Sequence, residues 1–108
     1  MEANEQEWNE LLLRLSRQFR VTANYEFILF VIGVNERGSG FRTYSKEEKM
    51  DLMNLGNCVL LHQQGFTQRV GVDEQGWPLF EPVDGKPLPQ QPGEEFFKHA
   101  MIEFFRNN

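Results

Sequence analysis

The apolar positions of this chain change their spacing from segment to segment, and each change marks an element. From Asn4 to Phe19 the residues Trp8, Leu11, Leu12, Leu15 and Phe19 return at three- and four-residue steps, which draws one apolar stripe along a helix. Glu5 and Glu7 near its start and Arg14, Arg17 and Arg20 toward its end follow the order favoured by the helix dipole, and Glu10 with Arg14 makes an i,i+4 pair. The arginines therefore read first as a solvated, dipole-matched face and only second as a phosphate-binding patch. The next run, Tyr25 to Val34, has no polar break beyond Glu26 and fits a buried strand or a buried helix. Its flanks decide for a second helix: Thr22 or Asn24 can cap it, Glu26 sits in its first turn, and Gly38 can stop it. Gly33 would let another backbone or a large ring approach.

Ser45 followed by Glu48 is the pattern of a capping box, so a third helix starts there and runs to about Gln63 or Gln64, with Gly65 as its stop. Met50, Met53, Leu55, Val59, Leu60 and Leu61 supply its apolar contacts, and Gly56 marks a place for a close helix crossing. The segment Phe66 to Val72, the polar loop Asp73 to Gly76 and then Trp77 to Phe80 read as a β-hairpin. Pro78 lacks a donor, which puts the second strand at an edge or ends its pairing early. Between Pro82 and Gly93 lie four of the five prolines, which favours an extended linker. A closing helix from Glu94 to Phe105 carries Phe96, Phe97, Ala100, Met101, Phe104 and Phe105 in a broad stripe. The pattern predicts a mainly helical α+β fold: three helices, a two-stranded hairpin, a proline-rich linker and a C-terminal helix.

Composition narrows the class. At 108 residues with ten phenylalanines, the chain fits one domain, residues 1–108, with a core that needs no metal or disulfide. Its 11 basic and 16 acidic residues give a net charge of −5, which opposes nonspecific attraction to nucleic acid or an anionic membrane. Cys58 is the only cysteine, so a reducing compartment is the simpler expectation. The acidic first ten residues do not resemble a secretory leader, and the longest apolar run is far shorter than the ~20 residues of a membrane-spanning helix. The expectation is a soluble, cytoplasmic protein.

Candidate chemistry is sparse. Cys58 and His62 stand four apart on one helical face, and with His99 and a neighbouring carboxylate they are the only candidates for a metal site. A lone cysteine and a histidine near a helix end explain these residues without a metal, and no depressed thiol or oxyanion hole is indicated. The pairs Glu47-Glu48 and Glu94-Glu95 each fall in a first helical turn, where capping accounts for them. Gly38-Ser39-Gly40 lacks the Lys-Ser/Thr of a phosphate loop, and Phe41 and Tyr44 are expected to pin it to the core. No catalytic residue and no cofactor follow from these patterns.

The order of three helices, a hairpin and a further helix matches a winged-helix nucleic-acid binder. Charge opposes that reading. From Ser45 to Glu81 only Lys46, Lys49 and Arg69 face Glu47, Glu48, Asp51, Asp73, Glu74 and Glu81, where a reader must be basic. The reading that remains is a protein-interaction or self-association module, with Trp77, Pro78, Phe97 and Phe104 as contact candidates because aromatic residues dominate interfaces. A small enzyme or metal-binding protein ranks third, after the winged-helix-like regulator.

The run Ile28 to Val34, the segment Tyr44-Ser45-Lys46-Glu47-Glu48-Lys49-Met50-Asp51-Leu52-Met53 and the stretch Asp73-Glu74-Gln75-Gly76-Trp77-Pro78 resemble a family of small, uncharacterised bacterial proteins. The likeness spans Tyr25 to Phe80 and part of the last helix. It implies a bacterial, non-enzymatic protein and brings no site residue with it.

Overall fold

The computed structural model describes residues 5–85 and 93–106. In chain order the elements are α1 (Glu5–Phe19), α2 (Tyr25–Arg37), α3 (Lys46–Gln63), β1 (Thr67–Val72), β2 (Pro78–Pro82) and α4 (Glu94–Arg106). The fold is α+β and mainly helical, and the apolar run after Tyr25 is helix. Asn24 caps it, its side-chain oxygen accepting from the Phe27 N–H at 2.8 Å, and Gly38 ends it in the left-handed conformation at φ 73°. The α3 capping box is complete: Glu48 N–H donates to the Ser45 hydroxyl oxygen and Ser45 N–H to the Glu48 carboxylate.

Two glycines set the centre of the molecule. A Cβ added at Gly33 would strike the Leu52 carbonyl, and one added at Gly56 would strike the Leu29 carbonyl. The two contacts are reciprocal, four residues apart on each helix, so α2 and α3 run antiparallel with their backbones in touch. That crossing rotates α3. Its buried residues are Leu52, Leu55, Gly56, Val59 and Leu60, at helical spacing, while Met50 is turned out with 55% of its surface exposed. Met50 was expected inside and Leu52 was not; the glycine contact decides between them.

Around this pair, α1 contributes Trp8, Leu11 and Leu15 and α4 contributes Phe97, Ala100 and Met101 to one shared core. The end of α3 is tied to α4 by Gln63, which donates to the Ala100 carbonyl at 2.9 Å, and by Gln64, which donates to Glu103 at 3.0 Å. Arg106 reaches Glu7 across to α1. The expected Glu10–Arg14 pair is replaced by local and long-range contacts: Glu10 accepts from Gln6, and Arg14 turns to the end of α4.

β1 and β2 pair antiparallel from Thr67↔Pro82 to Val72↔Pro78, with a bulge between Arg69 and Gly71. Thr67 faces the core, and its hydroxyl donates to the Cys58 carbonyl at 3.3 Å. Val70 is the extra residue of the bulge, and after Thr67 every residue of β1 is exposed, Val70 and Val72 included. The second strand does not end at Phe80 but continues to Pro82, into the expected linker. Val83 N–H donates to the Phe66 carbonyl and Asp73 N–H to the Trp77 carbonyl, which fixes the phase of the ladder. In that phase Pro78 and Pro82 both occupy positions whose backbone faces away from β1. The missing donors lie on the outer edge, so pairing is kept and the edge is blunted. Residues 86–92 of the expected linker lie outside the described residues. No helix among the described residues is long and apolar enough to cross a membrane.

Candidate binding groove

The feature with the clearest capacity to bind is a cavity of about 540 Å³ where α1, α2 and α4 meet the loop between α2 and α3. The loop is shaped by its glycines. Gly38 and Gly40 both hold positive φ, 73° and 72°, conformations that side-chain-bearing residues rarely adopt. Between them and α3, Tyr44 is 6% exposed, its hydroxyl donating to the Gly40 carbonyl and bonded to Ser39 Oγ at 2.7 Å. Tyr44 thus pins the loop as expected, whereas Phe41 does not: it is 56% exposed. The Phe41 ring stands at the rim, its centroid 5.1 Å from Phe19 and 6.1 Å from Phe30. Tyr44 takes the inward place and Phe41 the outer one.

The walls are Phe19, Val31, Phe104 and Phe105, and the polar groups at the mouth are Arg14, Gln18 and Asn35. Among the described residues no carboxylate lines the cavity, although the chain is acidic. Arg14 donates to the Phe105 carbonyl over a long 3.5 Å, and its guanidinium carbon lies 5.9 Å from the Phe105 ring centroid. The volume falls within the ~300–1,000 Å³ of ligand sites, and the mixture of apolar walls with few polar groups is of the same kind.

The contact candidates read from the sequence divide. Phe104 lines this cavity. Phe97 is 7% exposed and belongs to the core, so it offers no surface. Pro78 is buried, and Trp77 is half-buried with the Arg37 guanidinium 4.6 Å above its ring. Arg37 also donates to the Gly76 and Gln75 carbonyls at 2.7 and 2.8 Å, which clamps the hairpin turn to the end of α2. Trp77 and Pro78 line a smaller hollow of about 350 Å³ with Cys58 and Asp73.

Cys58, His62 and His99 are not brought together. His62 Nδ1 is bonded to the Thr67 carbonyl at 2.9 Å, and His99 lies 3.0 Å from Glu103 one turn on. Among the described residues no group of three His, Cys, Asp or Glu side chains could hold a metal ion. Burial pushes the Cys58 thiol up, which disfavours the reactive thiolate. Glu48 is held below the usual carboxylate range by its bonds to Ser45, the signature of a cap rather than of an acid catalyst.

The helix and hairpin that suggest a nucleic-acid reader are placed otherwise. Against one side of α3 lies α2 and against others lie α4 and the hairpin, so its apolar face is spent on the core. At the hairpin tip, Asp73 turns inward to accept from the Gln75 and Trp77 N–H groups. Arg69, one of three bases in the segment, pairs with Glu36 at 2.7 Å. No family model matches the chain, and no curated protein or solved structure matches it.

The two residues that shape the groove, Phe41 and Arg14, carried weak signals. A large apolar side chain beside a glycine turn was the available sign for Phe41. For Arg14 it was an arginine on the helix face that the apolar stripe does not occupy.

Proposed function

We propose that the protein is a self-associating interaction module whose contact surface is the groove beneath Phe41. One observation carries the reading: a half-exposed phenylalanine stands beside an apolar cavity on the same face. Two copies related by a two-fold axis can each place Phe41 against the other's groove, so one patch supplies both knob and hole. A large aromatic beside a recess is the arrangement from which interface hot spots are built. The blunted outer edge of β2 favours this surface over strand pairing as the route to association.

Sedimentation equilibrium over a wide protein concentration range tests the proposal. Self-association is expected, and Phe41→Ser is expected to weaken it about thirtyfold, the effect of losing a hot-spot side chain worth ~2 kcal/mol. Because Phe41 is exposed, the variant should keep the circular dichroism and melting temperature of the parent. A strict monomer at the highest attainable concentration would sink the reading.

A further inference from the structure

We infer that the same cavity, open in the single chain, is a site for a single-chain amphipathic carboxylate, its apolar tail among Phe19, Val31, Phe104 and Phe105 and its head group at Arg14. This goes beyond self-association and does not depend on it. In a chain with 16 acidic residues against 11 basic, none of the described acidic residues lines the cavity. None of the ion pairs among the described residues involves Arg14, Arg17 or Arg20. Other arginines are paired: Arg42 with Glu48, Arg69 with Glu36 and Arg106 with Glu7. Arg14, which alone of these three lines the cavity, is thus without a carboxylate partner among the described residues and can meet an external anion.

Arg14 is solvent-exposed and is drawn to the rim of the cavity by its long bond to the Phe105 carbonyl and by the Phe105 ring. A guanidinium has five N–H donors, and one long bond leaves most of them for a carboxylate, which it can grip with two parallel bonds. The Gln18 and Asn35 side chains at the same mouth can add neutral hydrogen bonds. A phosphate fits less well. Gln18 and Phe19 at the end of α1, Val34 and Gly38 at the end of α2 and Phe104 and Phe105 at the end of α4 bring three helix C-termini to the cavity, whose partial negative charge opposes a dianion more strongly than the single charge of a carboxylate. Phosphate sites draw on helix N-termini or several cations, and among the described residues this site has one guanidinium.

The test uses the full chain at low micromolar concentration, labelled with ¹⁵N, and dodecanoate below its micelle-forming concentration as the probe. Dodecanoate should shift the amides around the cavity, and dodecanol should bind about tenfold more weakly because it lacks the charge-assisted bonds. Arg14→Gln should erase that difference while Arg14→Lys keeps part of it. Gln18→Trp, which fills the mouth from an exposed helix position, should abolish binding with the fold intact by circular dichroism. Equal affinity for dodecanoate and dodecanol, or tighter binding of dodecyl phosphate, overturns the head-group assignment. Binding to phosphatidylglycerol vesicles without any response to monomeric dodecanoate overturns the site in favour of a membrane surface. Sedimentation of the same samples separates this result from that for self-association.

Discussion

Tyr25 shows how one side chain couples the ends of the chain to its centre. It opens α2, its ring centroid lies 6.5 Å from that of Trp8 in α1, and its pKa is pushed up to about 12. Burial is the larger cause, and the carboxylate of Glu94 at the start of α4 adds to it. The fold therefore prefers the neutral phenol. Tyr25 contributes stability that is whole below the ordinary pKa of 10.0 and is lost as pH rises from there toward about 12. Urea unfolding at pH 9 and at pH 11.5 checks this: the parent should lose stability between the two, and Tyr25→Phe should lose less. An unchanged alkaline slope in the variant would remove Tyr25 from the account. The titration was not legible in the sequence, because it depends on burial in the folded core and on Glu94, far away in the chain. The same holds for Arg14 and Phe41: residue type and local spacing left them as a solvated cation and a loop anchor, and only the meeting of α1, α2 and α4 gives them a cavity.

At the scale of elements, the caps were readable because they are local. Asn24, Gly38, Ser45 with Glu48 and Gly65 mark helix ends through bonds within a few residues, and each stands at the boundary it predicted. Gly33 and Gly56 were readable as close approaches but not as partners of each other. Their reciprocal contact yields a sharp expectation. Gly33→Ala and Gly56→Ala each place a methyl group against a backbone carbonyl, which no rotamer can relieve, so α2 and α3 must move apart. Each substitution should cost about 1–3 kcal/mol despite the better helix propensity of alanine, and the pair should cost less than the sum, because the first separation makes room for the second. Gly93→Ala, where an added Cβ meets nothing, serves as the control and should be nearly neutral. Denaturant unfolding of the three variants measures this, and additive costs would mean that the two contacts are independent. The rotation set by this crossing is also why Leu52 rather than Met50 is inside. Periodicity alone gives a stripe, and the neighbouring helix chooses its centre.

For the whole molecule the question is whether α4 is part of the core or a lid upon it. The chain reaches α4 through a proline-rich stretch, which leaves open from sequence alone whether it packs on its own domain. Three observations bind it in: Phe97, Ala100 and Met101 are buried with α1, α2 and α3 residues in one cluster, Gln63 bonds to the Ala100 carbonyl, and Arg106 reaches Glu7. Helix α1 depends on α4 in turn, since Trp8, Leu11 and Leu15 belong to the same cluster. Met101→Ala should therefore cost about 2–5 kcal/mol and lower hydrogen-exchange protection together in α1, α2 and α3, because losing the α4 contact opens the shared core. Phe80→Ala, at a half-buried ring 5.7 Å from His62, should instead loosen the hairpin while the helices keep their protection. If Met101→Ala freed only the α4 amides, α4 would be a detachable lid. The cavity, with Phe104 and Phe105 in its wall, would then open and close with that helix rather than persist as a formed site.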